Sequence, residues 1–243
     1  MTEQMEPQKE LELPTNMLPL FDVDWTLLEG ENKPQYDSYA NAFEKVYGIK
    51  ASINEVVPHG SITTQIIIEV LKLHGISEEE AKAKMQEVRR VREESFLAHA
   101  NDHISNPMPG VYDLLSTLKG KGVPLGLLTG EDETIAQRTL ELAGLSGFFD
   151  FGAFGNMAEK RVDLIPIVKQ EAKEKLGLDE SQVEFVIIGD SPFDIDTAKA
   201  GGLKSIAVGA GPYSTKELSV TGAELIVDSL QDQQSILNFL KIA

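Results

Sequence analysis

The sequence contains no cysteine. That excludes disulfides, thiolate zinc and iron–sulfur sites, and cysteine nucleophiles, leaving Asp, Glu, His, Ser, Thr and Lys to carry any chemistry. The chain is also short of positive charge: 22 Lys and Arg stand against 39 Asp and Glu, a net charge of −17 that disfavours nucleic-acid phosphates and anionic membrane surfaces as partners. No apolar run reaches the roughly 18–20 residues that cross a bilayer. Residues 1–17 lack the basic flank and apolar run of a targeting peptide and read as a flexible tail. The expectation is a cytoplasmic protein with no nucleic-acid, membrane or evident protein partner. Internal repeats are absent, and His59, His74, His99 and His103 show no metal-ligand spacing with acids, so they read as surface or packing residues.

With 243 residues, 42% of them hydrophobic, the chain can bury a sizeable core. Short apolar runs at 18–23, 123–129, 151–154, 183–190, 205–208 and 225–227 read as buried strands, and segments with helical spacing at 111–118, 132–143, 164–176, 195–200 and 235–240 alternate with most of them. This predicts an α/β, Rossmann-like, doubly wound and mainly parallel sheet, whose ligands sit beyond the carboxyl ends of the strands near a switch in strand order. Pro19 fits a central first strand only at the strand's start, because it has no N–H for the ladder.

Residues 34–105 break the alternation and read as an inserted helical unit, bounded by Gly-, Pro- and Asn-rich stretches near 29–34 and 106–110; the core is 18–33 plus 106–243. Tyr39, Phe43, Val46 and Tyr47 have helical spacing, as do Ile66, Val70 and Leu73. Ser77 with Glu80 forms a capping-box pattern ahead of one long helix through Met85, Val88, Val91 and Phe96.

Four short segments carry chemistry. Asp22 and Asp24 follow the first predicted strand, placing two carboxylates where one can be a nucleophile and the other an acid and base. An ordinary Asp-rich turn explains most isolated pairs of this kind. Asp190 ends the Val186–Ile188 run; Ser191, Pro192 and Asp194 suit a capping box, which leaves Asp190 unexplained. Asp22, Asp24 and Asp190 on neighbouring strand ends would crowd three carboxylates, a tolerable arrangement if a divalent cation such as Mg2+ neutralises it. Thr129 and Gly130 end another strand with a hydroxyl and backbone amides suited to a phosphate, and Lys160 and Arg161 offer adjacent cations before a helix.

These elements, in this order, resemble the motifs of the haloacid dehalogenase superfamily: Asp22-Val-Asp24-Trp-Thr26, then Thr129, then Lys160 or Arg161, then Gly189-Asp190-Ser-Pro-Phe-Asp194. The resemblance runs from Leu18 to about Leu240, and the insertion is similar to that superfamily's helical cap. It implies a Mg2+-dependent phosphatase acting on a small phosphorylated metabolite through an aspartyl-phosphate, closest to phosphoglycolate-phosphatase-like and phosphosugar-acting members. By that resemblance Asp22 is the nucleophile and Asp24 the acid and base, while Thr129, Gly130 and Arg161, with Lys160 as runner-up, bind phosphate. Asp22, Asp24 and Asp190 hold the metal, and Asp194 is a second acid nearby. Gly60, Ser61 and Thr63 resemble the cap segment that reaches the active site; an ordinary turn with Thr63 as helix N-cap is the alternative. Trp25 stands where glycine is usual and Glu131 where asparagine often is. A phosphosugar mutase and a non-catalytic binding relative are the rival readings.

Overall fold

A computed structural model describes residues 13–30, 32–57, 60–178 and 181–242. The apolar runs become strands and the amphipathic segments helices. Strand β1 (Met17–Phe21) leads into four helices, α1 (Lys33–Tyr47), α2 (Thr63–Leu73), α3 (Glu78–Ala83) and α4 (Met85–His99), before the chain returns as α5 (Val111–Gly120). Strands and helices then alternate: β2 (Gly126–Leu128), α6 (Glu133–Leu142), β3 (Phe151–Ala153), α7 (Leu164–Leu176), β4 (Glu184–Gly189), α8 (Pro192–Ala200), β5 (Lys204–Val208), α9 (Thr215–Leu218), β6 (Leu225–Val227) and α10 (Gln233–Phe239).

The sheet is parallel throughout, in the order β3-β2-β1-β4-β5-β6. Alternate side chains of a strand face opposite sides, and both sides are buried here, as in parallel sheets flanked by helices. Met17, Phe21, Val186 and Ile188 pack with Leu114, Leu118, Leu140 and Ile236 on one face. Leu18, Leu20, Phe185 and Ile187 pack with Leu164, Val168 and Ala198 on the other. Strand order reverses between β1 and β4, so the crevice beyond their carboxyl ends receives the chain after Phe21 and after Gly189.

Several sequence expectations need correction. The strand starts at Met17, inside the stretch read as a tail: Met17 is buried, and the Thr15 hydroxyl donates to Leu240 O at 2.5 Å. Residues 1–12 lie outside the described residues. Pro19 sits mid-strand, paired with Val186, and not at the strand's start. Asp22 N–H donates to Ile188 O, so by alternation the nitrogen of Pro19 faces the β2 side, where pairing begins only at Leu20. The single helix expected after Ser77 is two, because the backbone at Lys84 (φ −104°, ψ 7°) leaves helical geometry between α3 and α4. Ser77 accepts from Glu80 N–H, which is one half of the expected capping box.

Helices α1 to α4 share their own apolar cluster, built on Tyr39, Phe43, Ile67, Leu71, Met85 and Val88. The two stretches joining them to the sheet run side by side: Leu28 bridges Pro107, Glu29 N–H donates to Asn106 O at 2.9 Å, and Asn32 bonds Ser105. The seam with the sheet is closed by buried charge. Arg92 of α4, fully buried, donates to Glu131 and to Asp132 at 3.1 Å each, and its guanidinium lies 3.6 Å from the centre of the Tyr39 ring. Glu131 also accepts from the Gln35 amide and, at 3.2 Å, from the Thr63 hydroxyl.

Removing one partner from a buried ion-pair cluster leaves the others uncompensated and costs about 3–5 kcal/mol. Arg92→Met should therefore lower the urea-unfolding free energy by about that amount, whereas Arg90→Ala, at an exposed pair with Glu94, should change it by less than about 0.5 kcal/mol. Equal effects of the two substitutions would refute the structural role given to Arg92.

Candidate active site

After Phe21 the chain turns tightly. Leu27 and Leu28 N–H both donate to Val23 O, and Trp25 N–H donates to Leu28 O. The turn requires left-handed backbone at Trp25 (φ 62°), a conformation that costs a non-glycine residue about 1 kcal/mol. The indole lies over Gly30, where an added Cβ would fall 2.2 Å from its nitrogen. In this turn Asp22 and Asp24 both face one cavity of about 70 Å³.

Three strand ends and the helical unit supply its walls. Asp22 and Asp24 follow β1, Thr129, Gly130 and Glu131 follow β2, and Asp190 follows β4. Gly60, Ser61 and Thr63 enter from the turn before α2, with Gln35 and Tyr39 from α1. Gly130 is where the two parts meet. A Cβ there would fall 2.1 Å from Ser61 O, and its carbonyl accepts from the N–H and hydroxyl of Thr63 at 2.8 and 3.1 Å. Thr63 is thus the first residue of α2, tied to the sheet side, and Ile62 holds the N-cap position.

Arg161 is the cation that points inward. Its guanidinium donates to Asp22 Oδ1 at 2.8 Å, to Asp194 Oδ1 at 2.5 Å and to Gly60 O at 3.0 Å. Its Nε is buried without a hydrogen-bond partner. Lys160, the other candidate, is exposed and does not line the cavity, because neighbouring residues entering the short turn Arg161–Asp163 point apart. Asp194 serves two partners with its two oxygens: Oδ2 closes the capping box with Ser191 N–H at 3.1 Å, and Oδ1 takes Arg161. Gly189 makes room for this, since a Cβ there would sit 2.2 Å from the Asp194 carboxyl carbon.

The carboxylates that meet are Asp22, Asp190 and Asp194, each buried, with one oxygen apiece within 4.8 Å of the others. The Asp24 carboxylate lies outside that trio and faces the Gln35 amide at 3.5 Å. An all-oxygen, buried, like-charged group suits a hard divalent cation. The crowding is visible in the acidities. Burial raises Asp190, and the charges of Asp194 and Asp22 raise it further, against a hydrogen bond from the Thr26 hydroxyl. Burial also raises Asp22, opposed by Arg161. Asp24 is pushed up to about 7 by desolvation and then by the charges of Asp22 and Glu131.

Gln35, Tyr39 and Arg92 are the residues that sequence reasoning missed. Arg92 had a signal: it stands four residues after Val88 and four before Phe96, a charge on an otherwise apolar helix face. Among the histidines, His74 pairs with Glu55 and His99 with Asp102, both away from the cavity, and His59 lies outside the described residues.

If like-charge crowding dominates the trio, Asp190→Asn should leave the melting temperature in chelator equal to or above the parent's, and should remove the rise that a divalent cation gives the parent. A lower melting temperature in chelator, or a retained cation response, would contradict the shared-ion geometry.

Comparison with known proteins agrees with this architecture. A phosphoglycolate phosphatase of Neisseria meningitidis is 30% identical over 221 residues, 87% of this chain and 89% of that protein. The fold matches CbbY from Rhodobacter sphaeroides in complex with phosphate, with a TM-score of 0.67 at 21% identity, covering 90% of this chain and 96% of that one. It also matches a CbbY mutant in complex with xylulose-(1,5)bisphosphate, with a TM-score of 0.60 at 20% identity, covering 90% and 96%. The sequence pattern of the family described as haloacid dehalogenase-like hydrolase spans residues 19–208. The chain belongs to the haloacid dehalogenase-like hydrolase family.

Proposed function

We propose that this protein is a Mg2+-dependent phosphomonoester hydrolase acting on a small phosphorylated metabolite, with residues 34–105 as a cap over the catalytic core. The observation that carries this reading is that Asp22 and Asp24 face one cavity, with Arg161 bonded to the first and Gln35 to the second. Asp22 attacks phosphorus, forming an aspartyl-phosphate as the bond to the leaving oxygen breaks, and Asp24 gives that oxygen its proton. Asp24 then takes a proton from water, whose oxygen attacks phosphorus, and the bond to Asp22 breaks to release phosphate.

The environments of the two carboxyls support these separate tasks. Asp24, raised to about 7, holds a proton near neutrality as a general acid must. Asp22 is held beside the guanidinium of Arg161, which opposes the rise that burial causes and keeps the attacking oxygen available as an anion. Arg161 and the backbone around Thr129 receive the phosphoryl oxygens. Asp22 and Asp190 would hold Mg2+, with Asp194 behind them; when bound, the ion offsets charge that would otherwise repel a dianionic phosphate.

Hydrolysis of p-nitrophenyl phosphate should require Mg2+ and stop on chelation. Asp22→Asn should abolish turnover, and Asp24→Asn should lower it about 100- to 10,000-fold, the range of a general acid and base. Full activity of Asp22→Asn would overturn the proposal.

A further inference from the structure

The reading as a phosphomonoesterase leaves open what the phosphate is attached to, and the charge balance of the cavity bears on that. Among the described residues that line it, Arg161 is the only cation, against the carboxylates Asp22, Asp24, Glu131 and Asp190. Arg161 is committed to Asp22 and Asp194. The neighbouring buried cation, Arg92, does not line the cavity and is neutralised by Glu131 and Asp132. Lys33, in the groove that adjoins the mouth, is well exposed and paired with Asp37.

Beyond the phosphate end, the wall is made of Gln35, Tyr39, Ile53, Thr63, Ile66 and the carboxylate of Glu131. A second carboxylate or phosphate on the substrate would meet no cation among the described residues lining this region, and desolvating an unpaired charge is strongly unfavourable. Amide and hydroxyl groups beside apolar surface suit a leaving group with hydroxyls and carbon faces.

We propose that this enzyme selects phosphomonoesters whose leaving group is uncharged and hydroxyl-bearing, and that Glu131, locked by Arg92, is the residue that rejects a second anion. The inference rests on the phosphatase reading and sharpens it. It also sets this chain apart from a relative named for phosphoglycolate and a structural neighbour bound to a bisphosphate, since each of those ligands carries a second anionic group. The determinant is one side chain: Glu131 lines the cavity and both its carboxylate oxygens accept from Arg92, so the buried pair offers a second anion no net positive charge.

The test compares matched pairs that differ in that charge: 2-hydroxyethyl phosphate against 2-phosphoglycolate, and glycerol 3-phosphate against 3-phosphoglycerate. kcat/KM is measured with Mg2+ at pH 7.5. The uncharged member of each pair should be favoured by about 30-fold or more, about 2 kcal/mol in transition-state binding. Glu131→Gln should shrink that ratio at least about tenfold by freeing charge on Arg92. Parity or preference for the anionic member in the parent overturns the selectivity, and an unchanged ratio in Glu131→Gln removes Glu131 as its cause. If neither member of either pair nor p-nitrophenyl phosphate is turned over, the phosphatase reading fails first and takes this inference with it.

Discussion

Three carboxylates, Asp22, Asp190 and Asp194, gather at one edge of the sheet, and the guanidinium of Arg161 is what offsets their charge. It spans Asp22 and Asp194 and reaches the carbonyl of Gly60. Like charges this close and this dry would otherwise take up protons or push their loops apart. Because one cation meets the loop after β1, the first turn of α8 and the turn before α2, the alignment of those three segments follows from satisfying a single planar donor. The short turn after Lys160, the glycine that lets Asp194 fold back, and the close approach at Gly130 all serve that geometry.

A second arginine does comparable work at the seam. Arg92 gathers Glu131 and Asp132 under the helical unit, stacked on Tyr39, so the helices dock on the sheet through charge as well as through apolar contact. The two clusters meet at Gln35, whose amide touches Glu131 on one side and Asp24 on the other. Docking of the helical unit and the environment of Asp24 are therefore physically joined, and a change in one is felt by the other through one side chain. Both arginines are committed to internal carboxylates, so the described residues around the cavity offer little uncommitted positive charge, in keeping with a chain of net charge −17.

Much of the fold was legible because parallel strands buried on both faces must be continuous apolar runs, and six such runs separated by helical spacing leave few other architectures. Asp22 and Asp190 were legible because each is a charge placed where such a run stops. The misreadings share a cause as well. Pro19 looked like an intruder because a strand reading cannot say which side of the ladder begins late. Thr63 looked like an N-cap because local spacing does not show that its hydroxyl is needed at Gly130 and Glu131. The break at Lys84 left no glycine or proline to mark it.

Local chemistry written along the chain, namely which runs are apolar, where they end and which acids stand at the ends, determined the layered architecture and nominated the acidic residues. Which of two adjacent cations faces inward, which carboxylates share a space and which helix residues complete the cavity were decided by tertiary structure alone. Direction and distance between segments more than a hundred residues apart, such as Asp22 and Arg161, exist only after the strands have paired. Charge, unlike apolarity, acquires its energetic meaning from the partners and the water that remain around it once they have.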